Sequence, residues 1–408
     1  MRVLFVSAWF AYPPDNGARI RTYHVIKALS REHEVFLISL LQPDSDPRNA
    51  AGLSDICQVV SLHRMRSFDP GKFGSIRGLV SNRPRSFVDA YDPAVRAAVE
   101  NAVGGIRPDV IVASTLGVAD YVPSRAGVAA VLDEHNCEYA VLKRAAEAAS
   151  GPAQRLRQQL GWRKLARYEA AMCRRFGAVT MVSEQDARLI RAAAPDLQNV
   201  HVVPNGVDTS HYDPASWSPS NGTLIYNGSL TYGANLDAVR CFASEIYPSL
   251  RTRAPNSVLR VTGRTDGVDL EFVRRCAGVE IVGYVEDIRI ELARSAACVV
   301  PLREGGGSRL KILEAMAAGV PVVSTSVGAE GIDAVPGKHL LVADTASDFA
   351  DAIHRVLADR ELALSLSRAA RALVASRYDW SAIGRSFARI VESGFRGDPG
   401  CRCWNNDL

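Results

Sequence analysis

The chain has 408 residues, of which 47% are apolar and 23% charged, and its formal net charge is +4. This length predicts two or more hydrophobic cores, and the composition excludes a disordered or coiled-coil protein. The net charge is too small for a protein that coats nucleic acid, so no nucleic-acid partner is expected.

The cysteines and the amino terminus indicate the compartment. The eight cysteines include no CxxC pair, which excludes a zinc ribbon or thioredoxin-like site and favours reduced thiols. The apolar run at residues 1–10 is shorter than a signal-peptide core with its cleavage site, and no apolar stretch reaches the roughly 18 residues of a membrane span. We therefore expect a cytoplasmic protein, at most peripheral at the inner face of a membrane.

Short β-branched runs alternate with longer helical patterns along the chain. The first series lies at residues 3–7, 34–41, 58–62, 109–114, 129–133, 178–183 and 200–203. The second series lies at residues 223–227, 257–262, 280–282, 298–302, 320–325 and 340–343. Continuous apolar strands separated by helices are typical of parallel sheets covered on both faces. The sequence therefore predicts an α/β protein with two doubly wound, Rossmann-like domains.

The boundary between the two series predicts the domain organisation. The turn at Pro204–Asp208 closes the first series, and residues 213–222 are rich in Pro, Ser and Asn. The expected parts are an N-terminal domain, a linker, a C-terminal domain, a helix that crosses back to the first domain and a disordered tail. Their limits are 1–205, 206–222, 223–380, 381–396 and 397–408.

Several familiar motifs are absent or incomplete. Residues 331–339 resemble a phosphate-binding P-loop, but five residues rather than four separate the glycines, and His339 replaces the required hydroxyl. No G-x-G-x-x-G follows a strand and no G-x-S-x-G occurs, which argues against a nicotinamide dehydrogenase and a serine hydrolase. Asp44 and Asp46 lie in a proline-flanked loop, where a polar turn is favoured over a metal site.

Residues 301–331, PLREGGGSRLKILEAMAAGVPVVSTSVGAEG, carry the strongest chemical signal. They predict a strand, a loop of glycines at 305–307, and a helix capped by Ser308. Arg309 and Lys311 would stand in the first turn of that helix, where a cation opposes the helix dipole unless an anion binds. Flexible glycines, helix-start amides and two cations favour a diphosphate site. Two solvated cations beside a surface turn are the alternative.

This segment resembles the donor-binding signature of family 4 glycosyltransferases, which are retaining enzymes of the two-domain GT-B fold. Residues 12–35 are similar to the family's first glycine loop and helix. VVPNGVD at 202–208 resembles its inter-domain junction, and IVGYVEDI at 281–288 the loop that meets the nucleotide base. The resemblance covers almost the whole chain, and it implies a donor-binding C-terminal domain that faces an acceptor-binding N-terminal domain across a cleft.

Glu314 follows Lys311 on the same helix face and could either accept two ribose hydroxyls or pair with that lysine. It matches the second glutamate of the family's E-x7-E motif, which implies the ribose contact. The position of the first glutamate holds Gly306, and Glu304 lies two residues earlier. The family's Arg and Lys after the first C-terminal strand are also missing. The resemblance then implies that Arg309 and Lys311 supply the charge for the diphosphate.

His135, in VLDEHNCEY, matches the family's active-site histidine, with Asp133 and Glu134 as reserve candidates. Gly17 matches the glycine whose missing side chain lets the backbone approach the donor phosphate. The resemblance implies catalytic roles for His135, Arg309 and Lys311. The implied donor-binding residues are Gly17, Gly228, Ser229, Arg264, Tyr284, Val285, Gly307, Ser308, Arg309, Lys311, Leu313 and Glu314. No metal and no cofactor are expected, because the nucleotide sugar is a substrate.

A basic helix is predicted at residues 153–176, and its cations are Arg155, Arg157, Arg163, Lys164, Arg167, Arg174 and Arg175. Residues 1–200 carry 26 Lys and Arg against 20 Asp and Glu, whereas the rest carries 22 against 24. This face could rest on an anionic membrane or hold an anionic acceptor. A solvated, charged helix is the favoured interpretation.

With these observations, the resemblance implies a retaining glycosyltransferase. It would move a sugar from a nucleoside-diphosphate donor to a hydroxyl of a glycan, a lipid-linked glycan or a small molecule. Two alternatives stay open: a nucleotide-sugar epimerase of the same fold, and a catalytically silent nucleotide-sugar-binding subunit, for which Gly306 is the main argument. The sequence indicates no particular oligomeric state.

Overall fold

A computed structural model of the chain describes residues 1–69, 78, 81–123, 127–147, 151–274, 276–304 and 309–395. The chain divides into two compact units, each built on one parallel sheet. Unit 1 comprises Met1–Pro204 and Ile383–Leu408, and unit 2 comprises Asn205–Ala382. The tail predicted at 397–408 lies outside the described residues, as do Cys401 and Cys403.

Unit 1 contains a seven-stranded sheet. Its strands are β1 (Arg2–Ser7), β2 (Glu34–Leu41), β3 (Gln58–Arg64), β4 (Val110–Ser114), β5 (Ala129–Asp133), β6 (Ala178–Met181) and β7 (Val200–Val202). Its helices before the boundary are α1 (Gly17–Leu29), α2 (Arg85–Ala90), α3 (Pro93–Ile106), α4 (Leu116–Ala119), α5 (Glu138–Glu147), α6 (Pro152–Cys173) and α7 (Glu184–Ala193), with a 3₁₀ turn at Pro47–Leu53. The strand order is β3-β2-β1-β4-β5-β6-β7, so the order reverses between β1 and β4.

Unit 2 contains a six-stranded sheet. Its strands are β8 (Thr223–Asn227), β9 (Val258–Thr262), β10 (Val279–Gly283), β11 (Ala297–Val300), β12 (Val322–Ser324) and β13 (Leu341–Val342). Its helices are α8 (Gly233–Cys241), α9 (Tyr247–Arg253), α10 (Glu271–Arg274), α11 (Ile288–Arg294), α12 (Leu310–Ala317), α13 (Ala346–Ala358) and α14 (Arg360–Arg377), with a 3₁₀ turn at Pro214–Ser216 and a π-helical turn at Phe242–Ile246. The strand order is β10-β9-β8-β11-β12-β13.

The final helix, α15 (Trp380–Phe395), belongs to unit 1 from Ile383 onward. Phe387 and Val391 are completely buried there, and the carboxylate of Glu392 lies 3.2 Å from Nε2 of His33. Among the described residues, no helix is both long enough and apolar enough to cross a bilayer.

The predicted fold class is confirmed. Every strand of both sheets lies within or overlaps one of the apolar runs, and all pairings between neighbours are parallel. The central strands have no polar face, because helices cover both sides. In β4 all five residues are buried, as are all four in β11. A parallel sheet buried on both faces requires this continuous apolar pattern.

Candidate active site

The sheet of unit 2 creates a crevice where its strand order reverses, between β8 and β11. In open parallel sheets ligands bind outside the carboxyl ends of the strands at such a switch point, because the loops on its two sides leave in opposite directions. Gly228 and Ser229 follow β8 here, and residues 301–309 lead from β11 into α12. Gly228 and Ser229 on the first loop and Arg309 after the second therefore lie at the same edge of the sheet.

Lys311 lies in the first turn of α12 and points to the end of β8. Its Nζ donates to the hydroxyl of Tyr226 and to Oδ1 of Asn235, both at 2.8 Å, and lies 4.0 Å from the centre of the Tyr226 ring. Burial lowers the pKa of Lys311 to about 7, and the nearby Arg309 charge acts in the same direction. Near neutral pH, Lys311 is therefore present in both neutral and charged forms. A bound anion would favour the charged form.

Glu314 lies one turn further along α12. Its Oε2 accepts a hydrogen bond of 2.7 Å from Nδ2 of Asn227, the last residue of β8. Burial raises the pKa of Glu314 to about 7, against the opposing effects of Lys311 and Asn227. Its other oxygen, Oε1, takes no part in this bond and can accept a hydroxyl.

The loops after β8 and β9 approach each other so closely that the β9 loop needs glycine. On the β8 loop, a Cβ on Gly228 would lie 2.8 Å from Nζ of Lys311, so this lysine side chain would have to move. Gly263 has φ of +121°, and a Cβ there would lie 2.5 Å from the carbonyl of Gly228. The amide of Leu230 donates to the carbonyl of Arg264 at 2.8 Å, which fixes the two loops together. These glycines let backbone, rather than side chain, line the crevice.

The beginning of α12 corrects one detail of the prediction. Arg309 occupies the N-cap position, just before the helix, instead of a position in its first turn. Its side chain is 6% exposed and donates to the carbonyl of Val327 at 3.3 Å. The predicted cap Ser308 and the glycines at 305–307, including Gly306 and Gly307, lie outside the described residues.

The remaining donor-binding predictions on unit 2 lie in different surroundings. Tyr284 follows Gly283 at the end of β10 and is 62% exposed, with the half-buried Val285 next to it. Arg264 is exposed, and its carbonyl also accepts from the Ser229 hydroxyl at 3.3 Å. Leu313 is completely buried in the hydrophobic core of unit 2, so its side chain presents no surface to a ligand.

His135 lies just past the carboxyl end of β5 in unit 1, where sequence reasoning predicted it. Its Nε2 is 3.0 Å from the hydroxyl of Ser114 and 3.5 Å from Oδ2 of Asp133. Burial lowers the pKa of His135. An ionised Asp133 only accepts hydrogen bonds, so it favours the proton on Nε2. Nδ1, which is buried and has no hydrogen-bond partner in the part of the chain that the structure describes, then remains an acceptor.

Asp133 owes its charge to a buried arginine. Nε of Arg21 on α1 donates to Oδ2 of Asp133 at 3.1 Å, and both side chains are completely inaccessible. Burial alone would raise the pKa of Asp133, but the Arg21 charge and the hydrogen bonds hold it below its usual range. The Thr180 hydroxyl adds a further hydrogen bond of 2.6 Å. The Arg21–Asp133 ion pair thus holds the Asp133 carboxylate in position next to His135.

The carboxyl end of β4, beside His135, is strained. Thr115 has φ of +79°, a conformation that a β-branched residue rarely adopts outside functional sites. The neighbouring Leu116 amide donates to Oε2 of Glu134 at 3.1 Å. Burial, together with the charges of Glu169 and Glu138, raises the pKa of Glu134 well above its usual value. This environment disfavours the ionised form of Glu134.

Gly17, the remaining predicted residue of unit 1, is the first residue of α1. Asn16 caps this helix, with its side chain accepting from the Arg19 amide at 3.1 Å. The loop from β1 to α1 lies at the switch point of the unit 1 sheet, between β1 and β4. Gly17 thus has the placement of a ligand-binding turn in this fold.

Sequence reasoning missed the residues that hold the predicted ones. In unit 2 these are Tyr226, Asn227 and Asn235, and in unit 1 they are Arg21 and Ser114. A signal for Arg21 was available, because it lies four residues before Val25 and eight before Leu29 on the buried face of α1. A charged residue on an apolar stripe predicts a buried partner.

No group of three or more His, Cys, Asp or Glu side chains within the described ranges is arranged to hold a metal ion.

The chain matches two family profiles. Residues 15–211 match Glycosyltransferase Family 4, and residues 221–359 match Glycosyl transferases group 1. Among curated proteins, the glycogen synthase of Mycobacterium tuberculosis is 26% identical over 434 aligned positions, which cover 98% of this chain and 96% of that protein. A GDP-mannose-dependent alpha-(1-6)-phosphatidylinositol monomannoside mannosyltransferase of the same species is 26% identical over 275 positions, covering 60% of this chain and 69% of its own.

Solved structures share the architecture. Sucrose-phosphate synthase from Thermosynechococcus elongatus superposes with a TM-score of 0.72 at 17% identity, covering 97% of this chain and all of its own. HepE from Anabaena, in complex with UDP and glucose, superposes with a TM-score of 0.67 at 17% identity, covering 96% of this chain and 99% of its own.

Proposed function

Because the chain belongs to the family 4 glycosyltransferases and has the GT-B fold, we propose that it transfers a sugar from a nucleoside-diphosphate donor to an acceptor hydroxyl with retention and without a metal. The observation that carries this proposal is the pairing of Lys311 and Glu314 at the switch point of unit 2. A cation and a hydroxyl acceptor one turn apart suit the diphosphate and the ribose of one nucleotide.

The diphosphate is assigned to the beginning of α12. Lys311 and Arg309 stand where the backbone amides of a helix start also point, and both features favour an anion. Transfer breaks the bond between the anomeric carbon and the diphosphate oxygen and forms one to the acceptor oxygen. The acceptor's proton leaves with the diphosphate, whose growing charge the two cations stabilise.

The ribose is assigned to Glu314. The side chain is oriented by Asn227, which leaves one carboxylate oxygen for ribose hydroxyls. HepE has been crystallised with UDP, with UDP-glucose, and with UDP and glucose, and it shares this fold. A nucleotide bound by the unit 2 sheet of this chain is consistent with that likeness.

His135 is assigned to the reacting sugar. Its neutral ring is fixed on one side by Ser114 and Asp133, and Nδ1 is left to accept a sugar hydroxyl. The match of His135 to the family's active-site histidine supports this assignment. The acceptor class stays open between glycans, lipid-linked glycans and small molecules.

The experiment is a donor screen followed by product analysis. Thermal-shift measurements with UDP, GDP, ADP and TDP sugars, including UDP-glucose and GDP-mannose, identify the donor. Its consumption is then followed with wild type and His135→Ala, with and without a chelator. We expect diphosphate release that survives the chelator and is lost in His135→Ala, and products with the anomeric configuration of the donor.

Three other outcomes would contradict the proposal. Release of an epimerised nucleotide sugar with no acceptor present identifies the epimerase alternative. Donor binding with no turnover on water or any acceptor identifies the silent subunit. Activity that is lost with the chelator and restored by manganese contradicts the metal-independent mechanism.

A further inference from the structure

The helix pair α5 and α6 of unit 1 carries exposed apolar side chains that no other part of the described chain covers. Leu156 and Leu160 are 63% and 62% exposed, and Val141 on α5 is 42% exposed. The leucines stand one turn apart on α6. Neighbouring exposed apolar side chains rimmed by polar residues, such as the two leucines, are typical of interaction surfaces.

Cations share this surface with the leucines. The spacing of Leu156, Leu160, Arg163 and Arg167 along α6 (four, three and four residues) places them on one helix face. Arg155 and Arg157 are exposed on either side of this face, and Lys143 is exposed on α5. In the described parts of the two helices, Glu147 is the one exposed carboxylate. Glu138 is partly buried, and Glu169 is completely buried.

The packing of α6 against unit 1 leaves the face with the leucines and arginines exposed to solvent. Its carboxyl-terminal half packs into the unit 1 core through Leu165, Tyr168 and Cys173, all buried. Toward the amino terminus, residues 154–157 are all exposed, and Trp162 lies beneath the cations of Lys143 and Arg163 at 5.6 and 5.0 Å. Residues 154–157 therefore project away from the core, while the carboxyl-terminal half of the helix packs into it.

We infer that this surface, which we call the α5–α6 patch (Val141, Lys143, Arg155–Arg157, Leu160, Arg163 and Arg167), docks on an anionic lipid bilayer. The cations match lipid phosphates, and the leucines are long enough to enter the boundary between headgroups and acyl chains. A soluble polyanion such as nucleic acid would use the cations and gain nothing from the leucines. The inference is independent of the donor chemistry proposed above. It would bring the enzyme to a surface where lipid-linked acceptors are found.

The test is sedimentation of the full-length protein with vesicles. Phosphatidylcholine vesicles containing phosphatidylglycerol should bind wild type, whereas pure phosphatidylcholine should not, and raising NaCl from about 0.1 to about 0.5 M should weaken binding. Arg163→Gln/Arg167→Gln should lose roughly thirtyfold in partition coefficient. Leu156→Ser/Leu160→Ser should lose at least about tenfold, because the apolar contact disappears.

Matched variants elsewhere serve as controls. Ile290→Ser/Val335→Ser removes two apolar side chains that are 51% and 52% exposed on unit 2, and Arg31→Gln/Arg368→Gln removes two exposed cations. Both should bind vesicles like wild type, and all four variants should keep wild-type nucleotide binding. No binding of wild type to the anionic vesicles would overturn the inference. So would binding that the leucine pair does not affect, or equal, leucine-independent binding to DNA.

Discussion

Lys311 and Glu314 lie one turn apart on α12, and burial brings the pKa of each to about 7 by opposite shifts. Near neutral pH each side chain is present in both protonation states, so a bound ligand can shift the balance between them. A diphosphate favours the ammonium form of Lys311, and ribose hydroxyls that donate favour the carboxylate form of Glu314. Nucleotide binding is therefore coupled to proton exchange at both residues.

Nucleoside-diphosphate binding at pH 8 should take up nearly one proton per site. At that pH Lys311, with a pKa of about 7 in the free protein, is mainly neutral and must gain a proton to pair with the phosphates. Glu314 is already mainly ionised there and releases little. Affinity should accordingly fall as pH rises above 7. Calorimetry in two buffers of different ionisation enthalpy measures the uptake.

Lys311→Met should abolish this uptake, and Lys338→Met, at an exposed position, should retain it. A binding heat at pH 8 that does not depend on the buffer would contradict the proton uptake assigned to Lys311.

The sequence indicated the candidate site residues more readily than the residues that contact them. Lys311, Glu314 and His135 are candidates because each follows a recognisable strand in a distinctive motif. Asn227, which donates to Glu314, and Arg21, which pairs with Asp133 beside His135, come from elements far along the chain. Only the three-dimensional pairing of β8 with α12, and of α1 with β5, brings these groups together.

At the scale of elements, the carboxyl ends of β8 and β9 form the wall of the crevice through a contact between two glycine turns. Gly263 combines a positive φ with a Cβ position only 2.5 Å from the Gly228 backbone. Backbone atoms cannot move aside as a flexible side chain can, so an added methyl group displaces the loop itself.

Gly263→Ala should lower the free energy of unfolding by about 3 kcal/mol or more, from backbone strain and overpacking together. Gly267→Ala is the matched control in the same loop. Gly267 has φ of +69° with open space around its Cβ position, so it should cost only about 1 kcal/mol. Urea denaturation measures both. Equal losses for the two variants would mean that the contact between the turns contributes nothing.

The start of α12 shows the limit of prediction for elements. The strand and helix on either side of the loop follow from apolar pattern and were predicted, with Gly319 ending the helix at φ of +76°. The N-cap was misplaced, because Ser308 looks like a cap in sequence and Arg309 takes the position instead. Cap choice depends on the tertiary path of the preceding loop, which local sequence does not specify.

At the scale of the whole molecule, two parallel sheets were predictable because strands buried on both faces have continuous apolar sequences. The exposure of Leu156 and Leu160 on α6 was not predictable, because an apolar residue in a charged helix is normally predicted to face the core. Pattern predicts which residues can be buried, and the structure shows which of them no neighbour covers.

The most direct test of the account is the affinity of the full-length protein for the nucleoside diphosphate of its donor. Calorimetry should show binding by wild type that Lys311→Ala and Glu314→Ala both weaken, by about 1.5–3 kcal/mol for the charged contact of Lys311. The surface control Lys338→Ala should bind like wild type. Unchanged affinity in Lys311→Ala and Glu314→Ala, with each variant still folded, would contradict the placement of the donor on unit 2.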